Sequence, residues 1–245
     1  MSSDNQEAAE PSGGYGNRSA TMTRPASVHR GPAKGGGDVS EAARGLVLAA
    51  ILAALAGMVD VIGYLHLKGL FISFMSGNST QLAAALGGGD LSGAATIAEL
   101  ITLFVLGAAA GQVLADFTGR WHMTWVLIGV ALFLVVAAML RNVPEPMVFA
   151  MGALNASMHR AGKIPVSLTF VTGVLVRFGQ GLGNFLTGQA TGWIWLAQAI
   201  SWVGMITGAT IGGAAYLQIG EPAIWLPIAL AGVLAAASAL MPQPD

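Results

Sequence analysis

Eight apolar stretches separated by short polar breaks fill the chain from residue 46 onward: 46–65, 70–86, 97–115, 121–140, 143–161, 164–188, 193–219 and 222–241. A helix needs about 20 apolar residues to cross roughly 30 Å of hydrocarbon. Stretches 46–65, 97–115, 121–140, 193–219 and 222–241 meet that requirement. The fifth opens on Val143-Pro144-Glu145-Pro146 and closes on His159-Arg160. Prolines fit a first helical turn and Arg160 can snorkel to the interface, so this stretch is also expected to be a span. The pattern changes upstream. Residues 1–43 are rich in Gly, Ser, Pro and charge and poor in large apolar groups, which predicts a disordered tail. The expected organisation is this tail, a first membrane unit over 44–141, a second over 142–241 and a short tail at 242–245.

The second stretch, LFISFMSGNSTQLAAAL (70–86), is apolar at its flanks and polar in the middle, from Ser76 to Gln81. Lipid tolerates non-helical backbone only where it is buried in protein or lines a cavity. Transporters place such breaks at matching positions of two repeats and bind substrate there. A matching position exists. FMSGN (74–78) resembles FVTGV (170–174), GMVDVIGY (57–64) resembles GALNASMH (152–159), and GAAAG (107–111) resembles GMITG (204–208), at offsets of 96, 95 and 97 residues. Three matches in order and in register point to an internal duplication.

The hand of the duplication follows from charge. If 70–86 and 164–188 dip into the membrane and return, each unit crosses three times and the halves are inverted. Arg18, Arg24, Arg30, Lys34, Arg44, Arg120, Arg160 and Lys163 then share the cytoplasmic side, leaving Lys68 and Arg141 outside, with Arg177 inside a segment. That distribution satisfies the positive-inside rule, whereas eight full crossings put basic residues on both faces. The expected fold is an all-α integral membrane protein of about six transmembrane helices in two inverted repeats, each with a re-entrant or broken segment.

Composition agrees. The chain is 54% hydrophobic and 9% charged, against about 25% charged residues in soluble domains. Its net charge of −1 says nothing about nucleic acid, but no Lys/Arg-rich run resembles a binding patch, so no nucleic-acid partner is expected. With no cysteine, disulfides, Cys-zinc sites and thiol nucleophiles are excluded. His66, His122 and His159 are scattered one per loop and His29 is in the tail, so neither a metal site nor any other cofactor is expected.

Asp60 is the only carboxyl group deep in the first stretch. An ionisable group in a membrane costs about 2.5–3.5 kcal/mol on insertion scales and is by default a functional candidate. Its repeat mate is Asn155, isosteric and uncharged, a pairing that suits a proton or cation site. The competing reading is structural, an ion pair or a helix-cap hydrogen bond, with Arg177 as the candidate ion-pair partner. Arg177, Gln180 and Asn184 share a helix face, which could also lie at the headgroups. Ser76, Gly77 and Asn78 in one break, and Thr169, Thr172 and Gly173 in the other, complete the candidate substrate- or ion-binding set. The bland alternative for these hydroxyls is bonding back to helix carbonyls. Gly107/Gly111 and Gly204/Gly208/Gly212 read as helix-packing stripes.

Four short motifs give the chain a family resemblance. Ala56-Gly57-Met58-Val59-Asp60-Val61-Ile62-Gly63 resembles Ala-Gly-x-x-Asp-Ala-x-Gly. Phe71 to Asn78 resembles Phe-x-x-x-Met-Thr-Gly-Asn, with Ser76 for threonine. Met151-Gly152-Ala153-Leu154-Asn155-Ala156 resembles Met-Gly-x-Gln-Asn-Ala, with Leu154 for glutamine. Thr169-Phe170-Val171-Thr172-Gly173 resembles Thr-Tyr-Val-Thr-Gly, with Phe170 for tyrosine. Together they look like the YoaK-like family of bacterial multi-pass membrane proteins, a domain of unknown function often described as small-metabolite transporters. The resemblance covers about residues 44 to 241 and implies a bacterial plasma-membrane protein with a suggested transport role.

The leading function is therefore secondary transport of a small polar solute, with Asp60 as coupling site. The partners expected are the lipid bilayer and that small molecule, and a homo-oligomer is left open. A channel is the nearest rival, a structural membrane subunit the next. An intramembrane hydrolase is disfavoured. Ser76 has no histidine expected within reach, and an aspartyl protease needs two facing carboxyls, whereas Asp60 faces Asn155. An enzyme is not expected.

Overall fold

The computed structural model describes residues 37–141, 143–158, 171–189 and 194–240, with backbone only for 37–44, 171, 194 and 197. All regular structure among the described residues is helical: α1 (Gly37–His66), α2 (Met75–Gly87), α3 (Leu91–Thr118), α4 (His122–Met139), α5 (Pro144–Met158), α6 (Val171–Leu186), α7 (Ile194–Ile219) and α8 (Trp225–Leu240). Two short 3-10 turns, Gly119–Trp121 and Glu221–Ile224, link α3 to α4 and α7 to α8. Four continuous helical stretches are long and apolar enough to cross a membrane: Gly45–His66, Leu91–Met139, Gln198–Ile219 and Glu221–Leu240. The second of these holds both α3 and α4, which fold back on one another at Gly119 (φ +52).

The ends of the helices follow local chemistry that hydropathy does not carry. Helix α3 begins at Leu91, six residues before the apolar run, because Asp90 caps it. Its Oδ1 accepts from the Gly93 N–H at 2.9 Å, satisfying one of the orphan donors of a first turn. Helix α5 opens on Pro144, whose missing N–H is no loss at a first helical position. Helix α1 begins at Gly37, so residues 37–43 belong to a helix and not to the disordered tail expected there. Asp38 and Glu41 suit a helix N-terminus, and Ala42 and Ala43 favour continuation. Residues 1–36 lie outside the described residues, as do 142, 159–170, 190–193 and 241–245.

Two parallel helix pairs dominate the packing. Helix α1 lies along α7, with Ala50 against Gly204, Ala54 against Gly208 and Met58 against Gly212, so the two run in the same direction. Helix α3 lies along α5 in the same manner, with Gly107 on Phe149 and Gly111 on Ala153. A Cβ added at Gly57 would strike the Met205 carbonyl oxygen, and one added at Gly152 the Phe104 carbonyl oxygen. The backbones touch because these positions carry no side chain, the usual way helices approach closely in lipid. Helices α4 and α8 pack over most of their lengths. The Thr124 hydroxyl, in the first turn of α4, donates to Ser238 Oγ in the last turns of α8 at 3.0 Å, so this pair is antiparallel. Leu55, Val59 and Ile62 of α1, Leu127 and Leu134 of α4 and Met151 and Leu154 of α5 lie in the shared core at 0% exposure.

Gly57→Ala and Gly152→Ala should each force backbones apart, at the roughly 1–3 kcal/mol typical of overpacking or more. Gly129→Ala and Gly232→Ala, where an added Cβ meets nothing within 4 Å, should be harmless or stabilising. Size-exclusion profiles after graded heating would separate the two groups, and equal profiles would contradict the packing. At Asp90, the Gly93 N–H first and then the Ser92 hydroxyl hold the carboxyl below its ordinary pKa. Its support of α3 is thus complete above the ordinary value and lost as pH falls through the lowered one. The destabilisation caused by Asp90→Ala should accordingly disappear in acid.

Candidate functional site

Helix α1 ends where Lys68 (φ +52) and Gly69 (φ +118) take left-handed conformations. The N–H of Leu67 closes on Gly63 O at 2.8 Å and that of Gly69 on Tyr64 O at 2.9 Å, satisfying carbonyls a helix end would otherwise orphan. The chain then turns back along α1 without forming helix until Met75. This stretch has no ladder of its own for its backbone groups, and a buried unpaired N–H or C=O costs about as much as a lost hydrogen bond.

Side chains supply the partners. Asp60 is buried at 7% exposure, six residues (about 9 Å at 1.5 Å per residue) from the end of α1. Its Oδ1 accepts from the N–H groups of Ile72 at 3.0 Å and Ser73 at 2.7 Å. Its Oδ2 accepts from the Ser73 hydroxyl at 2.5 Å. Asn78, at 0% exposure in the first turn of α2, holds Phe71 from both sides. Its Oδ1 accepts from Phe71 N–H at 2.9 Å while its Nδ2 donates to Phe71 O at 2.7 Å. Gln81, one turn further, donates from Nε2 to Gly69 O at 2.8 Å. Ile72 fills the notch left by Gly63, where a Cβ would collide with its side chain. The break between α1 and α2 is thus tied down by three side chains, two ahead of it in the sequence order of α2 and one behind it on α1.

The other candidates have different surroundings. Ser76 is exposed and Gly77 half-buried. An added Cβ at Gly77 would come within 2.6 Å of the Phe74 ring. The hydroxyls of Ser79 and Thr80 bond back to Met75 O at 2.8 Å and Ser76 O at 3.1 Å, the bland arrangement for such residues. In the second half, Asn155 is half-buried and donates from Nδ2 to Met151 O at 2.8 Å within α5. Thr169 lies outside the described residues. Thr172 and Arg177 are exposed and Gly173 half-buried on α6. The polar face anticipated there exists, with Arg177, Gln180 and Asn184 all exposed, while Phe178 and Phe185 stack on Trp195 of α7 at 5.5 and 6.3 Å. Arg177 is not among the groups that hold Asp60, whose bonds go to Ile72 and Ser73. Ser76, Gly77 and Asn78, expected within a break, instead form the first turn of α2, and Thr172 and Gly173 the first turn of α6. Of the nine candidates the fold brings Asp60 and Asn78 onto the break at 67–74, with Ser76 and Gly77 beside it, and leaves Asn155 on α5 and Thr172, Gly173 and Arg177 on α6. Ser73 and Gln81 belong to the site without having been singled out. Their only sequence signal was that they are polar within or beside an apolar run.

Apolar spans, lipid-scale helix lengths and a side-chain-satisfied break define a multi-pass α-helical membrane protein. Residues 48–237 match the family model described as "Protein of unknown function (DUF1275)". The chain belongs to that family, consistent with the YoaK-like resemblance of its motifs. It is 39% identical over 203 residues to a UPF0700 transmembrane protein of Rhizobium meliloti (strain 1021), covering 81% of this chain and 88% of the relative. No solved structure matches the chain.

Asp60→Ala removes an acceptor from two buried N–H groups and one hydroxyl, and each orphaned group costs about 1–3 kcal/mol. Thermal stability in detergent should fall markedly. Asp60→Asn keeps an oxygen at Oδ1 and should cost far less. Asn78→Ala should resemble Asp60→Ala, since it strands both polar groups of Phe71. Equal stability of Asp60→Ala and Asp60→Asn would show that these bonds hold nothing.

Proposed function

We propose that the protein is a secondary transporter of a small polar solute in the bacterial plasma membrane, built from six crossings in two inverted repeats, and not an enzyme. The observation that carries this reading is the break at residues 67–74, irregular backbone beside a membrane span, in which the buried side chains of Asp60 and Asn78 hold the polar groups of Phe71, Ile72 and Ser73. Backbone of this kind at membrane depth typically accompanies a binding site in transporters.

The helix directions support the inverted topology. Helices α1 and α7 run parallel, which requires α2 and α6 to be of the same kind, both crossing or both dipping. Helices α4 and α8 run antiparallel. With two extra crossings they would be parallel, which favours both short helices dipping. The length of α2 agrees: 13 residues with described chain on both sides span about 20 Å at 1.5 Å each, short of the roughly 30 Å hydrocarbon core.

The duplication is supported by the same contacts. Gly57 on Met205 and Ala209 is matched by Gly152 on Phe104 and Ala108, and Gly208 on Ala54 by Gly107 on Phe149. These pairs relate α1 to α5 by 95 residues (152 minus 57), the offset of the sequence comparison. They relate α3 to α7 by 101 (205 minus 104), one helical turn beyond the offset of 97 taken from the glycine motifs. GAAAG (107–111) therefore corresponds to GATIG (208–212). A structural membrane subunit is the second reading, favoured by the full engagement of Asp60 and Asn78 in holding backbone.

Reporter fusions at residues 40, 90, 142 and 243 should report inside, outside, outside and inside. An external reporter at 243 beside an internal one at 40 would rule out six crossings. A thermal-shift screen of small polar metabolites, which raises apparent stability for any ligand of the folded state, should yield compounds that purified protein then carries into proteoliposomes. Binding without flux would favour the structural role.

A further inference from the structure

Each parallel helix pair is joined along its length, but the two pairs meet one another through less. Helix α2 packs on α3, and therefore belongs with the α3–α5 pair, while α1 and α2 scarcely touch directly. What joins α1 to the α2–α3 hairpin is the non-helical segment 67–74. It is held on the α1 side by Asp60 and by the seating of Ile72 on Gly63, and on the α2 side by Asn78 and Gln81. Asp60 is thus the one of the three side chains whose bonds bridge the two groups of helices.

The same end of the molecule is closed in a second way. Ala223 and Ile224, in the turn between α7 and α8, are buried to 0% and 1% exposure where that turn meets α1, α4 and α7. At the opposite end the corresponding turn, Gly119–Trp121, is exposed. The end where α1 terminates is therefore covered twice, by Ile72 and Ser73 against Asp60 and by Ala223 and Ile224.

We propose that the hydrogen bonds from Asp60 to Ile72 and Ser73 form a latch that fastens the α1–α7 pair to the α2–α3 hairpin, and that their release opens the outer end of the protein. The proposal rests on the transporter reading for its purpose and on the six-crossing topology for the name "outer", but the latch is defined by bonds alone. Asp60 suits this task because a single carboxyl group collects two backbone N–H groups and a hydroxyl from adjacent residues. Losing it frees the whole segment at once, while Asn78 and Gln81 keep the segment attached to α2. A solute or cation that competes for the Asp60 oxygens would open the end by the same displacement, which is how differential binding shifts a conformational equilibrium.

The absence of cysteine makes the test direct. Val59, the residue before Asp60 on α1, is at 0% exposure, and Val59→Cys serves as the reporter. A membrane-impermeant maleimide applied outside the cell should label it slowly in the otherwise unaltered chain. Adding Ser73→Ala should speed labelling roughly ten- to a hundredfold, the change in open population expected when a hydrogen bond to a charged or strongly polar group is lost. Ser73→Ala removes one hydroxyl and keeps both backbone bonds, so folded protein is expected, and Asp60→Asn provides a second variant that keeps the local shape. A covalent lock completes the design. A Cβ at Gly63 would lie 3.5 Å from that of Ile72, within disulfide range. Gly63→Cys with Ile72→Cys, oxidised, should return labelling at position 59, mapped by mass spectrometry, to the slow rate even with Ser73→Ala. Faster labelling from the cytoplasmic side only would leave the latch standing and refute the orientation. Latch-dependent labelling without solute flux would refute transport alone. Unchanged labelling from both sides in folded Ser73→Ala and Asp60→Asn proteins would overturn the latch.

Discussion

A polypeptide in hydrocarbon has no water to satisfy its backbone, and the first half of this protein is organised around one place where the helix gives out. Between Leu67 and Phe74 the chain leaves helical geometry beside a membrane span. Every local feature answers that need: the carboxyl of Asp60 for Ile72 and Ser73, the amide of Asn78 for both polar groups of Phe71, the amide of Gln81 for Gly69. Each of these side chains reaches across a turn that other residues shape. Gly63 leaves room for Ile72, and Gly77 lets the Phe71 and Phe74 rings lie over the start of α2. Buried polar networks of this kind fix a single arrangement when fully satisfied and are costly when partly so.

Around that break the helices associate by close approach, because lipid gives apolar side chains little reason to prefer one another. Backbone contacts between Gly57 and Met205, and between Gly152 and Phe104, set the spacing and register of the two parallel pairs. Larger side chains then fill the space where α1, α4, α5 and α8 converge, with Leu55, Val59, Leu127 and Leu154 fully buried. Pairs joined backbone to backbone behave as stiff units, and motion is expected where units meet through fewer contacts. The Asp60 bonds fall at such a junction, so one group can serve both stability and conformational change. A membrane carboxyl that is functional by default and one that is structural by hydrogen bonding are therefore compatible descriptions of the same residue.

Much of this was legible in the order of residues alone. Apolar runs of span length and sparse charge specify a multi-pass helical protein, because hydrocarbon admits little else. The carboxyl at position 60 and the polar run from Ser76 to Gln81 pointed to the neighbourhood of an interruption, but not to its place: Ser76 to Gln81 are helical within α2, and the chain leaves helix before them, at residues 67–74. Helix ends were less legible. Asp90 extends α3 by a hydrogen bond that hydropathy does not register, and residues 37–43 join α1 although their composition resembles a tail.

Tertiary structure alone decided which groups meet. Asp60 and Ser73 are 13 residues apart and bond because the chain doubles back, and no local spacing encodes a return of that length. Arg177 shares a membrane domain with Asp60 but holds an exposed face of α6, since the helix that carries it turns its apolar edge to Trp195. A stripe of small residues repeats every turn and so looks alike after a one-turn shift, and only the packing decides that Gly107 lies on Phe149 and Gly208 on Ala54.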